Sequence, residues 1–239
     1  MINPEGTEEQ NTSTAGQEWQ TMANEVLAKN ANESHEAAPV RVDLVTPEYD
    51  EKFRNAELYV KKAEVQAEPV TQEGLESGAY ANMGVKYDAE QGKYYIETIV
   101  MRNKRNADGT VTRYAATENP HDVEPGQWLV TNPIIKPGDA PNIYPVEEAD
   151  FRKKYIPTDK EGVYQTSGKG YARIIKNETG SSVTVRAPWG EDQNGDEFCY
   201  FCAVCEDDTE EGISPNNRYV LSENDAAFYV PVSKAETEA

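Results

Sequence analysis

A chain of 239 residues carries 43 acidic and 23 basic side chains, a formal net charge of −20. That balance excludes a direct grip on nucleic acid, whose phosphates would be repelled rather than neutralised, and offers no Lys/Arg cluster to an anionic bilayer. Mean hydropathy is −0.79, and no run of about 18 apolar residues exists, so no membrane-spanning helix is expected.

Taken in chain order, residues 1–55 read as an acidic, largely extended or disordered arm, rich in Glu, Asn, Thr and Ser and poor in aromatics. Its start, Met1-Ile2-Asn3-Pro4-Glu5-Gly6, has neither the basic nor the apolar region of a secretory signal. Within the arm, Trp19, Met22 and Val26 fall at i, i+3 and i+7, one apolar stripe on a short amphipathic helix near 18–29. So short a helix is stable only when its stripe docks on its own domain or on a partner. Residues 39–45 alternate like a strand, and Thr46-Pro47 can cap and open a helical turn.

Strand signals strengthen from there. Residues 58–70 and 94–101 read as strands, Asn106-Ala107-Asp108-Gly109 as a turn, and 110–116 and 127–132 as strands. A Pro/Gly-rich loop leads to Ile143-Tyr144 and a short helix over 146–155. The same order then recurs: strand at 170–176, turn at 177–180, strand at 182–187, turn at Asn194-Gly195, strand at 198–205, short strand at 218–221. Ser222, followed three residues later by Asp225, resembles a capping box and opens a helix to 229. Residues 93–157 and 170–232 therefore share one plan. The expected fold is α+β and β-rich, with two repeated small half-barrel units, each a hairpin, strand, loop, short strand and short helix. The domains expected are 56–160, 161–232 and an acidic tail over 233–239.

Candidates for chemistry are few. Cys199, Cys202 and Cys205 are spaced as iron–sulfur ligands are, but they sit on a β-type run with no fourth cysteine, so buried apolar thiols are expected. The absence of a disulfide framework fits a reducing compartment. His35 and His121 have no partner at zinc-ligand spacing. Residues 192–197 carry alternating oxygen ligands but lack the glycine and glutamate of a calcium loop, which leaves a hairpin turn at Asn194-Gly195. No nucleophile elbow, phosphate loop or His dyad occurs, so no enzyme, cofactor or metal is expected. Among the aromatics, Trp189 in Pro188-Trp189-Gly190 sits at a turn and is the best single anchor for a partner, beside Trp19, Met22 and Val26.

One stretch carries a resemblance. Glu124-Pro125-Gly126-Gln127-Trp128-Leu129-Val130, Ile143-Tyr144-Pro145-Val146 and Phe151-Arg152-Lys153-Lys154-Tyr155 together resemble the small phage and prophage proteins of the PGDYG-type family. Gln127 stands where that family carries Asp, and the 133–142 loop is longer. The resemblance implies a bacteriophage context, in the virion or the host cytoplasm, and supplies no catalytic residue. The function expected is a non-enzymatic virion-associated structural or accessory protein that binds other phage proteins or a host protein, with homo-oligomers compatible. The alternative is a phage binder or inhibitor of a host protein or small-molecule signal, marked by a closed, apolar-lined pocket between the two repeats or by salt-sensitive binding to a basic host protein.

Overall fold

The computed structural model describes residues 38–188, 190–205 and 212–235, without the side chains of 119, 234 and 235. Strand makes up 48% and helix 16%, so the sheets carry the fold. The chain opens with β1 (Val40–Val42), α1 (Pro47–Asn55), β2 (Leu58–Lys61) and β3 (Glu64–Pro69). There follow α2 (Gln72–Ser77), a 3-10 turn over Ala81–Met83, β4 (Val85–Asp88), β5 (Lys93–Arg105), β6 (Val111–Asp122), β7 (Gln127–Thr131) and β8 (Ile143–Glu147). Next come α3 (Glu148–Lys154), β9 (Tyr155–Pro157), β10 (Val163–Thr166), β11 (Tyr171–Lys176), β12 (Val183–Arg186) and β13 (Asp192–Gly195). The chain closes with β14 (Tyr200–Cys205), β15 (Ile213–Leu221), α4 (Glu223–Ala226), β16 (Tyr229–Pro231) and α5 (Val232–Ala235).

Two five-stranded sheets organise these elements, in the orders β8-β7-β3-β10-β9 and β15-β14-β11-β2-β16. Every pairing in both is antiparallel. They match strand for strand in chain order as well: β3, β7, β8, α3, β9 in one and β11, β14, β15, α4, β16 in the other. The registers agree. Val130 lies opposite Ala67 and Tyr144, and Cys202 lies opposite Ile174 and Tyr219. The remaining strand of each sheet comes from the other half. β2, which precedes β3, pairs with β11 and β16, while β10, which precedes β11, pairs with β3 and β9.

The exchange is sealed where the two strands leave. Thr166 N donates to Ala63 O at 2.9 Å, Thr166 Oγ1 donates to Lys61 O at 2.8 Å, and Ala63 N donates back to Thr166 Oγ1 at 3.1 Å. Equivalent bonds flank the crossing: Lys62 N to Phe228 O at 2.7 Å and Ser167 N to Lys154 O at 2.8 Å.

Each sheet has one outward face covered by an insertion. Between β3 and β7 the chain adds α2 and the sheet β4-β5-β6, and Val70, Leu75, Tyr80, Ile96, Leu129 and Ile143 form the core there. Between β11 and β14 it adds β12 and β13, which join β1 in a fourth sheet. Leu44, Phe53, Val183, Val185, Cys199 and Phe201 fill that core. Arg218, 3% exposed, anchors this corner: it donates to Leu44 O and Ser214 O, pairs with Asp50 and lies over the Phe53 ring.

Several expectations change. The sheets are open rather than closed into half-barrels. The hairpin expected to open the first unit is the β5–β6 insertion, and the one expected to open the second does not form, since β11 pairs with β14 and β2 while β12 pairs with β1 and β13. Turn chemistry is local and does not say which sheet a strand joins. A border at 160/161 would separate β9 from β10, which are hydrogen-bonded neighbours. The expected arm over 1–55 yields its last part to the core, where Leu44 is 1% and Phe53 0% exposed. Thr46 does cap α1, accepting from Tyr49 N at 3.4 Å. Asn194-Gly195 is strand, paired with Val183 and Thr184, and not a turn. Gly195 is there for closeness: a Cβ would stand 2.6 Å from Cys199 Sγ and 2.8 Å from Val220 Cγ1.

Two outcomes follow. Gly195→Ala should cost about 1–3 kcal/mol by overpacking, read from the urea midpoint; an unchanged midpoint would contradict the close approach. Fragments cut in the 158–162 turn should each be unfolded alone and should regain β-type circular dichroism on mixing. Cooperative unfolding of the first fragment by itself would contradict the exchange.

Candidate functional site

The strands that cross meet at a cavity of about 440 Å³ between the two five-stranded sheets. Its wall repeats the match between them. Tyr144 and Tyr219, Val146 and Leu221, Tyr155 and Tyr229, and Asn132 and Val204 hold equivalent positions, and all eight line it. Thr166 and Lys61, the last residues of the exchanged strands, form the fifth pair.

Local sequence explains the aromatic wall. Tyr155-Ile156-Pro157 and Tyr229-Val230-Pro231 each follow a short helix and form short edge strands, where a terminal proline costs no ladder bond. Period-two alternation on β8 and β15 turns Tyr144 and Tyr219 to the same side as Tyr155 and Tyr229. The hydroxyls pair within each half, Tyr144 with Tyr155 at 3.2 Å and Tyr219 with Tyr229 at 3.3 Å. A buried phenol needs such a partner. Burial pushes Tyr144 up to about 12 and raises Tyr155, Tyr219 and Tyr229 as well, so all four stay neutral donors and acceptors near neutral pH.

The charged groups are not symmetric. Lys61 Nζ donates to Tyr144 OH at 3.4 Å and faces Tyr155. Asp225 sits on α4, where Ser222 Oγ caps Asp225 N at 3.0 Å and donates to its Oδ2 at 2.7 Å. Asn132 and Asn142 each donate an amide N–H to Asp225 Oδ1 at 3.4 Å. Burial raises the Asp225 pKa, opposed by Ser222, by Lys61 across the cavity and by Asn132. Asn142 Oδ1 is buried and accepts no hydrogen bond among the described residues. Glu118 and His121, from β6, stand at the rim.

A larger groove, about 880 Å³, runs over the outer side of β3 and β10. It carries Glu64, Glu68 and Glu161 and no basic residue in its lining, whereas the smaller cavity gathers side chains of both signs with four tyrosines, which makes it the better candidate.

Trp19, Met22, Val26 and Trp189, singled out in the sequence, lie outside the described residues. Cys199, Cys202 and Cys205 are all buried and free, and burial pushes the first two up to about 12, which keeps them as thiols. Among the described residues no group of three His, Cys, Asp or Glu could hold a metal ion, and no helix is long and apolar enough to cross a membrane. The cavity residues escaped the sequence reading. Their signal was the pairing of Tyr155-Ile156-Pro157 with Tyr229-Val230-Pro231, read together with Val163-Tyr164-Gln165-Thr166 against Leu58-Tyr59-Val60-Lys61. Compared with protein families, curated proteins and solved structures, the chain matches none of them.

Glu118 gives the site a pH signature. Crowding at the rim and the charges of Asp225 and Glu191 push it from 4.5 to about 6, against Arg102, which favours its charged form. Its side chain stays exposed, so solvent screening reduces the effect. A carboxyl whose folded pKa is raised stabilises the fold fully below the unfolded value, and that contribution is lost as pH rises through about 6. Glu118→Gln should therefore flatten the fall in urea midpoint between about pH 4.5 and 7. An identical slope in the variant would remove Glu118 as its source.

Proposed function

We propose that this chain is a non-enzymatic binding protein that takes a small polar molecule into the cavity between its two five-stranded sheets. One observation carries the reading. The cavity gathers four tyrosine hydroxyls, Lys61, Asp225 and two amides on a wall completed by Val146 and Leu221, and it includes a buried acceptor, Asn142 Oδ1, left without a donor. Small-molecule sites have this composition, an apolar body with a few convergent polar groups, and volumes of roughly 300–1,000 Å³. Uncompensated buried acceptors cost stability unless a ligand or water supplies the donor.

The reading is nearest the alternative drawn from the sequence, a binder with a pocket between matched halves, but the cavity is open and carries polar and charged groups where a closed, apolar-lined one was expected. We infer further that the halves are copies of one unit, which supports a site at their junction. A phage setting, in virion or host cytoplasm, rests on the resemblance of residues 124–155 alone. The virion-assembly version leans on Trp19, Met22, Val26 and Trp189 and gains nothing from the cavity.

Acid–base catalysis is a second reading, favoured by Glu118 and Asp225: both line the cavity and both have raised pKa values. Against it, Ser222, Asn132 and Asn142 fix the Asp225 carboxyl in place, and no nucleophile accompanies the pair.

Saturation-transfer NMR with a library of small polar metabolites tests the binding reading. Binders are expected on the wild-type chain, with signals lost in Asn142→Leu and in the cavity-filling Val146→Phe. Binders unaffected by either substitution would place recognition elsewhere. Turnover of any library member that disappears in Glu118→Gln and Asp225→Asn would replace binding with catalysis.

A further inference from the structure

We propose that the ligand is a small zwitterion of the α-amino-acid type, its anionic group on Lys61 and its ammonium between Asp225 and Asn142 Oδ1. The proposal rests on the cavity being a small-molecule site and names the class of molecule it takes.

Of the charged side chains that line this cavity, Lys154 pairs with Asp150 on α3, and Glu118 and Lys169 are exposed, while the more buried Lys61 and Asp225 share the interior without pairing. Among the described residues Lys61 makes no ion pair; its Nζ meets only tyrosines, with a long 3.4 Å bond to the Tyr144 hydroxyl and the Tyr144 ring at 5.9 Å. Among the described residues the Asp225 carboxyl likewise meets a serine hydroxyl and two amides, and no cation within ion-pair distance. Lys61 acts on the Asp225 carboxyl only through space. Partly buried charges normally pair, because desolvation is otherwise uncompensated. A molecule bearing both signs would give each its missing counter-charge at once.

Asn142 sharpens the polarity. Its Nδ2 donates to Asp225 Oδ1, which turns Oδ1 away as an acceptor, and that acceptor is buried and unmet. A carboxylate beside a bare carbonyl-type oxygen asks for an N–H-rich cation. The ammonium of Lys61 beside phenols asks for an acceptor-rich anion. A ligand of one charge would satisfy one end and be repelled by the other. A neutral sugar would leave both charges uncompensated.

The matched halves carry different groups at these places. Where one half has Lys61 the other has Thr166, and where one has Asn132 the other has Val204. Asp225 is the third residue of α4, and its counterpart on α3, Asp150, is exposed and pairs with Lys154 at 3.7 Å. The same framework thus stands with threonine, valine and a solvated aspartate at these places. The tyrosines, common to both halves, supply the wall.

Calorimetry and thermal shift on the full wild-type chain decide it, with the free proteinogenic L-amino acids, nucleosides and monosaccharides as probes. At least one free amino acid should bind, and its N-acetyl and methyl-ester forms, each lacking one charge, should bind about tenfold or more weakly. Lys61→Met and Asp225→Asn should weaken the free amino acid by a similar factor, while Asp150→Asn leaves it unchanged. Derivatives that bind as well as the free form would overturn the zwitterion. A nucleoside or sugar binding where no amino acid does would overturn it too and leave the cavity reading standing. If no probe binds and Val146→Phe raises the melting temperature, both fall.

Discussion

Everything in this fold depends on the exchange of β2 and β10. Without its borrowed strand, the edge of β3 or β11 would present unpaired backbone groups next to a packed face, a cost that water cannot relieve there. The connections that carry the exchange are short, residues 62–63 on one side and 167–170 on the other, so the strands must leave their own halves close together. Thr166 closes the crossing by bonding both Lys61 O and Ala63 N. The last residues of the two strands are thereby held from both sheets, and the cavity opens where they are held.

That position sets the chemistry of the wall. Tyrosines brought to an interior junction must find hydroxyl partners, and the matched geometry provides the same solution twice, at 3.2 and 3.3 Å. What is common to the halves serves packing: Tyr144 with Tyr219, Tyr155 with Tyr229, Val146 with Leu221. What differs between them is charge. The distinction separates structural polarity from polarity available to a ligand without any appeal to relatives.

Much of the secondary structure was legible because its causes are local. Thr46 and Ser222 as caps, Asp108-Gly109 as a turn and the alternation of 127–131 each act within a few residues. The order strand, short strand, short helix in 127–155 and 200–229 was legible for the same reason. Partner choice was not. Nothing local to Leu58-Tyr59-Val60-Lys61 says that it pairs with Tyr171-Ala172-Arg173, more than a hundred residues on. Gly195 misled because Asn-Gly is a turn signal in most settings, whereas here the glycine makes room for Cys199 and Val220. Asp225 was read correctly as part of a cap, but its second role needs the positions of Asn132 and Asn142, which only the tertiary fold supplies.

The two short helices explain why one aspartate faces the cavity and its counterpart does not. On α4, the first three residues are each held by the first half: Asn103 Nδ2 donates to Glu223 Oε2 at 2.7 Å, Arg113 Nη2 donates to Asn224 Oδ1 at 2.6 Å, and Asn132 and Asn142 meet Asp225. Arg113 is itself fixed by a two-pronged pair with Asp139, at 2.7 Å on both prongs, whose carboxylate is 3% exposed. α3 instead follows Glu147, which makes no side-chain cap, and its charges pair along its own surface, Arg152 with Glu148 and Lys154 with Asp150. The long β5–β6 hairpin is the cause of the difference. It is present only in the first half and reaches across to α4, so that of two matched helices α3 packs Phe151 inward and keeps its aspartate in solvent, while α4 delivers a carboxylate to the junction.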